Sequence, residues 1–237
     1  MVMFEHVPDS FARGILVPIL KVDIGTKNVS VEDYRGISIN PAISKIFENY
    51  LLDLFNKRLE TSNMPFGYKS KSGCRNALCY VRKTVQFLVN RDTTVNLCAF
   101  DLGKAFDKLN RFALFQKLMD RKCPMVLINI LDCWYAKNFA CVKWGACYSP
   151  FVNLLTSTRQ GGITSPYLFA VYIDDVILKL RKSSLGCHIY NICFNAFMYA
   201  DDLLLASISI IDLQQMIDLC EEEFDWLDMT INIKKSM

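Results

Sequence analysis

Histidine is almost missing from this chain of 237 residues, which holds only His6 and His188. None of its ten cysteines forms a CxxC pair, so a zinc site of the Cys/His kind has too few correctly spaced ligands. Glycine and proline are scarce, at ten and seven residues, while hydrophobic residues reach 52%. These proportions exclude a collagen-like, low-complexity or disordered protein and leave room for one large domain or two small subdomains sharing a core. A long apolar run is lacking as well. The longest uncharged stretch, residues 183–200, contains Gly186, His188, Asn191 and Asn195, too polar for a lipid-facing helix. The first twenty residues carry Glu5, Asp9 and Arg13 around no clean apolar block, so no secretory signal is evident. The expectation is an intracellular, soluble protein without a membrane span, its cysteines acting as small buried hydrophobes in a reducing compartment.

What is present is unevenly spread. The net charge is only +3, yet residues 1–200 hold 25 basic and 15 acidic side chains, and residues 201–237 hold two basic and nine acidic ones. Between Thr61 and Arg91 stand Lys69, Lys71, Arg75, Arg82, Lys83 and Arg91, with no acid among them. A one-sided positive stretch suits a polyanion-binding surface, although such a run also describes an ordinary solvated helix face.

Hydrophobic spacing predicts the elements. Residues 15–22 read as a strand ending near Lys21. The segment Ala42–Leu59 places Ile43, Ile46, Phe47, Tyr50, Leu51, Leu54 and Phe55 on one helical face, with Asn40 as N-cap and Pro41 in the first turn. Helices are expected at 76–90, 111–122 and 167–180, the last opened by Ser165-Pro166, and a strand at 95–100. Residues 192–198 run through Tyr199-Ala200-Asp201-Asp202 into Leu203-Leu204-Leu205-Ala206, which reads as a hairpin with two acids at its tip. An amphipathic helix follows at 212–228. No repeat or linker interrupts the chain, and the alternation suggests an α/β or α+β sheet packed by helices.

Asp101 ends the strand at 95–100, and Asp201 and Asp202 tip the hairpin. If these strands are neighbours, three carboxylates converge, a repulsive cluster that a divalent cation neutralises. Hard oxygen donors favour Mg²⁺, and a pair of ions about 3.5–4 Å apart serves in-line phosphoryl transfer. Adjacent acids are also common turn formers, so the pair alone decides nothing.

The order of several motifs goes further. Tyr199-Ala200-Asp201-Asp202 resembles the YADD box of reverse transcriptases, and Asp101 to Asp107 resembles the D-x-x-x-A-F-D motif of the non-LTR (LINE-type) retrotransposon family. Arg159 to Pro166 is similar to that family's R-Q-G-x-x-x-S-P box. Asp33-Tyr34-Arg35-Gly36-Ile37-Ser38 resembles D-Y-R-P-I-S, Phe66 to Lys69 the G-F-R box, and Asn232 to Lys235 the N-x-x-K box. The set spans roughly residues 15–235. The resemblance implies an α+β fold: the fingers and palm of a right-hand polymerase, an antiparallel palm sheet backed by helices, with the thumb absent. Residues 1–94 would be fingers-like and residues 95–237 palm-like.

The resemblance also implies an RNA-directed DNA polymerase that adds dNTPs to a DNA primer on an RNA template, with Mg²⁺, or Mn²⁺ as substitute, on Asp101, Asp201 and Asp202. Asp101 and Asp201 are expected as the more direct ligands, and Asp107 as a capping or structural acid. Lys21, Arg35 and Lys69 would meet the triphosphate. Phe106 would sit beneath the sugar and exclude a 2′-hydroxyl, although a core aromatic reads the same way. Gln160 and Gly161 would lie beside sugar and template base, and Lys235 would protonate leaving pyrophosphate. Gly36, Lys69 and the Gly162-Ile163-Thr164 stretch depart from the family pattern. Nucleus or cytoplasm is the expected location. Two alternatives stand: a truncated, inactive retroelement-derived chain that binds nucleic acid or a partner, and a metal-dependent hydrolase using the same acids.

Overall fold

The computed structural model describes residues 1–21, 29–61, 73–102, 109–154, 161–232 and 236. In chain order the elements are β1 (Arg13–Leu20), β2 (Tyr34–Ile39), α1 (Ala42–Leu59), α2 (Cys74–Val89), β3 (Asn96–Asp101), α3 (Arg111–Asp120) and α4 (Met125–Ala136). There follow β4 (Phe139–Trp144), β5 (Cys147–Tyr148), β6 (Val152–Asn153), α5 (Ser165–Lys182), β7 (Cys187–Ile189), β8 (Ile192–Phe194), β9 (Ala196–Tyr199), β10 (Asp202–Ser207) and α6 (Ile210–Trp226). Two compact units form, interleaved in sequence: Met1–Leu59 with Phe115–Ser165, and Glu60–Leu114 with Pro166–Met237.

In the first unit β1 pairs antiparallel with β2, from Ile15 opposite Ile39 to Leu20 opposite Tyr34. It also pairs parallel with β4, which carries β5 and β6 antiparallel. The sheet is therefore mixed, and only a long crossover can return the chain to a parallel partner. Its core is an aromatic triangle. Phe47 of α1 lies 5.6 Å from Trp134 of α4 and 6.2 Å from Phe11, with Phe11 6.4 Å from Trp134. The Trp134 indole N–H donates to the Phe11 carbonyl at 3.4 Å, so the polar atom of the largest buried ring is satisfied.

Helix α1 has the bounds its spacing predicts but packs through only one side of the expected face. Ser44, Phe47, Glu48, Leu51, Phe55 and Leu59 are buried, whereas Ile43, Ile46, Tyr50 and Leu54 are exposed. The apolar stripe is wider than the seam that packs, and an acid inside the seam shifts it round the helix. The N-cap expectation changes as well. The Ser44 and Lys45 amides donate to the Pro41 carbonyl at 3.1 and 3.3 Å, so Pro41 holds the cap position, while the Asn40 side-chain oxygen accepts from the Ser38 hydroxyl. Elements α4, β4, β5 and β6 were not anticipated from spacing; α4 is apolar nearly all round, which blurs its period.

In the second unit β10 lies between β3 and β9, antiparallel to both. One face of this sheet carries Phe100, whose ring meets Phe224 of α6 edge-on at 6.4 Å. The other carries Phe197 and Leu204, which pack with Ala77 and Val81 of α2. Residues 192–198, expected as one strand, are two: β8 pairs with β7, and Asn195 breaks the run by donating its side-chain amide to the Leu180 carbonyl at 2.6 Å. Buried Tyr172 of α5 ties the unit together. Its hydroxyl donates to the Leu227 carbonyl and accepts the Asn110 amide at 3.3 Å, and burial pushes its pKa up to about 12. All ten cysteines are free; seven are at least partly buried, but Cys74, Cys79 and Cys147 are exposed, on the surface and not in the core as expected. Among the described residues no helix is long and apolar enough to cross a membrane.

Candidate active site

The acids sit where three chain segments meet in the second unit. Asp101 is the last residue of β3 and Asp202 the first of β10, and they face each other in register. Cross-strand partners of an antiparallel pair share a face with Cβ atoms about 5 Å apart, so two carboxylates are presented side by side. Tyr199 pairs with Asp202 and closes a two-residue turn whose first residue, Ala200, has φ 57°, the positive value that the tight turns of hairpins require. Asp201 is the second residue of that turn, and its carbonyl accepts the Leu102 amide at 3.3 Å. The register thus sets Asp202, not Asp201, directly opposite Asp101.

A third segment holds Asp101 from the other side. Leu102 makes an isolated antiparallel bridge with Ile231. The Asn232 amide donates to the Asp101 carbonyl at 2.9 Å, and the Asn232 side chain donates to Asp101 Oδ2 at 3.1 Å. The N-x-x-K resemblance includes this asparagine but implies a role for the lysine alone; a carboxamide three residues before a lysine carries no signal until its partner is known.

Between α2 and this sheet lies a cavity of about 220 Å³, lined by Cys74, Ala77, Val81, Phe197 and Leu204 and reaching Asp101, Tyr199 and Asp202. The wall of this cavity beside the acids is apolar, while Asp202 itself is exposed to solvent. Among the described residues no three His, Cys, Asp or Glu side chains cluster closely enough to hold a metal ion by themselves. The donor chemistry nevertheless suits a hard divalent cation: two carboxylates in register, one oriented by a carboxamide, with a third acid on the turn between the strands.

The remaining candidates with described positions lie in the first unit. Lys21 follows β1, exposed, with its amide on the Asp33 carbonyl at 2.8 Å. Arg35 of β2 is exposed opposite Ile19. The entry to β2 is fixed by Asp33, whose carboxylate accepts the Ser30 amide at 2.7 Å and the Ser30 hydroxyl at 3.0 Å; these bonds hold its pKa below the usual 3.8. Gly161 has φ +86°, and a Cβ there would fall 2.5 Å from the Ser38 carbonyl oxygen. Gly161 and Ser38 of β2 therefore touch backbone to backbone. Two residues on, the Ile163 amide donates to Glu48 Oε2, which also accepts the Thr164 amide at 3.3 Å. Lys69, Phe106, Asp107, Arg159, Gln160 and Lys235 lie outside the described residues.

An antiparallel sheet that brings one acid from a strand end against the acidic tip of the neighbouring hairpin, with helices behind it, is a polymerase palm. The comparison with solved structures agrees: telomerase from Candida tropicalis, in an apo form truncated from its C-terminal domain, superposes with a TM-score of 0.64 at 15% identity, over 98% of this chain and 50% of that one. The same enzyme from Candida albicans, in complex with a fragment of telomeric RNA, gives 0.56 at 10% identity. The chain belongs to the reverse transcriptase (RNA-dependent DNA polymerase) family, whose pattern it matches over residues 20–237. It is similar to the Pol polyprotein of the type-2 retrotransposable element R2DM of Drosophila melanogaster, 21% identical across 86% of this chain. It is also similar to the RNA-directed DNA polymerase of the mobile element jockey of Drosophila funebris, 23% identical across 97%. It spans 19% and 25% of those two proteins.

Proposed function

We propose that this chain is the polymerising core of a non-LTR retroelement reverse transcriptase, which extends the 3′-hydroxyl of a DNA primer with dNTPs on an RNA template. The observation that carries this reading is the register of Asp101 with Asp202 beneath the Tyr199–Asp202 turn. Residues 1–94 act as fingers and residues 95–237 as palm, inside the cell, in nucleus or cytoplasm.

Asp101, Asp201 and Asp202 would hold Mg²⁺, or Mn²⁺ in its place, which supplies Lewis-acid stabilisation of the charge that develops on the transferring phosphoryl group. Asn232 keeps Asp101 Oδ2 in place by its hydrogen bond. Arg35 grips phosphate through its planar fork, while Lys21 and Lys69 contribute as point charges. Gly161 gives the sugar and base close access to backbone, Gln160 contacts the same region, and the Phe106 ring excludes a 2′-hydroxyl. The new bond joins the primer 3′ oxygen to the α-phosphorus as the bond to pyrophosphate breaks; the primer hydroxyl loses its proton to solvent, and Lys235 gives an ammonium proton to the departing oxygen.

The test is equilibrium binding of a dNTP to the folded chain with and without Mg²⁺, with Asp101→Asn as control. Metal-dependent binding that disappears in Asp101→Asn is the expected result. Equal binding by the variant refutes the assignment.

A further inference from the structure

Glu48 is an acid in the packing seam of a helix. It is 1% exposed, between Phe47 and Leu51 of the buried seam, where a carboxylate is costly unless it is hydrogen-bonded. A distant segment meets it: both the Ile163 and the Thr164 backbone amides donate to Oε2. A charged acceptor that takes two main-chain donors fixes a loop more firmly than a neutral one, because each bond is charge-assisted. The loop so fixed begins at Gly161, whose left-handed backbone lies against the Ser38 carbonyl with no room for a side chain. One end of this short segment is thus set by close contact with β2, and the other by a buried acid.

We propose that Glu48 is a positioning residue for nucleotide selection: by clamping the Ile163 and Thr164 amides it holds Gly161, two residues before them, in the place that receives the incoming dNTP. The inference rests on the reading of Gly161 as a nucleotide contact. Glu48 itself touches no substrate. Its effect passes through the backbone of the loop.

The experiment compares the full wild-type chain with Glu48→Ala and Glu48→Gln in two measurements. Amide hydrogen exchange reads the anchoring. In Glu48→Ala, exchange at Ile163 and Thr164 is expected to accelerate about tenfold or more, the loss that follows removal of a charge-assisted bond. Glu48→Gln retains an oxygen acceptor and should recover most of the protection. Equilibrium binding of dATP in Mg²⁺ reads the consequence: about tenfold weaker in Glu48→Ala and largely rescued in Glu48→Gln, which a general loss of packing does not reproduce. Should Glu48→Ala fail to fold, the Gln variant decides, with a modest change expected at these two amides and in dATP affinity alone. Unchanged exchange at Ile163 and Thr164 overturns the clamp. Faster exchange with unchanged dATP affinity makes Glu48 purely structural and overturns the positioning role. A folded wild-type chain that binds no dATP overturns the nucleotide reading beneath the proposal, and the exchange result still stands on its own.

Discussion

Substituting Gly161 by alanine tests whether its backbone is held against β2 by steric fit. Two costs arise. The first is conformational: φ is +86°, and an L side chain in the left-handed region costs about 1 kcal/mol. The second is contact. The new Cβ would stand 2.5 Å from the Ser38 carbonyl oxygen, where a carbon and an oxygen ordinarily approach to about 3.3 Å, so strand or loop must give way by about 0.8 Å. Because the obstacle is backbone inside a paired strand, that retreat resembles core overpacking and costs about 2 kcal/mol. The sum is about 3 kcal/mol, or a fall in Tm of about 6–12 °C for a chain of this size. Gly145 provides the control. Its φ is +58° and nothing lies within 4 Å of its would-be Cβ, so Gly145→Ala carries the first cost alone, about 1 kcal/mol. Urea unfolding followed by tryptophan fluorescence reads both, since buried Trp134 lies in the same unit. If Gly161→Ala costs no more than Gly145→Ala, the contact with Ser38 is not a constraint and the argument fails.

Three further outcomes follow from the same geometry. Asn232→Ala removes the donor on Asp101 Oδ2 and should weaken Mg²⁺-dependent dNTP binding about tenfold with little change in Tm, as loss of an orienting partner does at metal sites; an equal loss of stability and binding would contradict this. Asp202→Asn removes a like charge opposite Asp101 and should stabilise the chain in EDTA by about 0.5 kcal/mol, measured by thermal unfolding, an advantage that Mg²⁺ cancels. Burial raises the pKa of Cys187 to about 11 and of Cys220 to about 12, and of Tyr172 likewise to about 12. Above pH 9 the unfolded chain releases these protons first, so stability should fall as pH rises from there, and iodoacetamide at pH 8 should label Cys74, Cys79 and Cys147 but not Cys187 or Cys220.

Legibility in the sequence follows the range of the interaction that fixes each feature. The bounds of α1 and the hairpin at Tyr199–Asp202 are local, written in period and turn chemistry, and the structure has both. The face by which α1 packs is not local. Glu48 interrupts an apolar seam, and the amides that satisfy it lie more than a hundred residues away, so a reading by hydrophobicity turns the helix toward Ile43 and Ile46. The acids show the same division. Their convergence could be argued from two strand ends, but only the register reveals that Asp202 stands opposite Asp101 and that Asn232 secures it. The short strands β5 and β6 were illegible for a simpler reason: two residues each contain no period.

The central sheet of the second unit divides its labour by face, and strand alternation enforces the division. In β3 and β10 the residues that point one way, Phe100 and Leu203, are 6% and 1% exposed and meet α6, so that face supplies cohesion. Residues pointing the other way include Asp101 and Asp202, with Ala99 and Leu204 behind them along the cavity. A slip of β10 by one residue would exchange its two sets, turning Asp202 toward Phe224 and Leu203 away from α6, and would break the pairing of the two acids. The chain is protected from that slip by two devices at the acidic end of the pairing. The positive φ of Ala200 sets the turn that joins β9 to β10, and the Leu102–Ile231 bridge with Asn232 fixes the end of β3. Register here is a requirement of chemistry as much as of packing, since the same hydrogen-bond ladder that buries Phe100 also determines which two acids stand side by side.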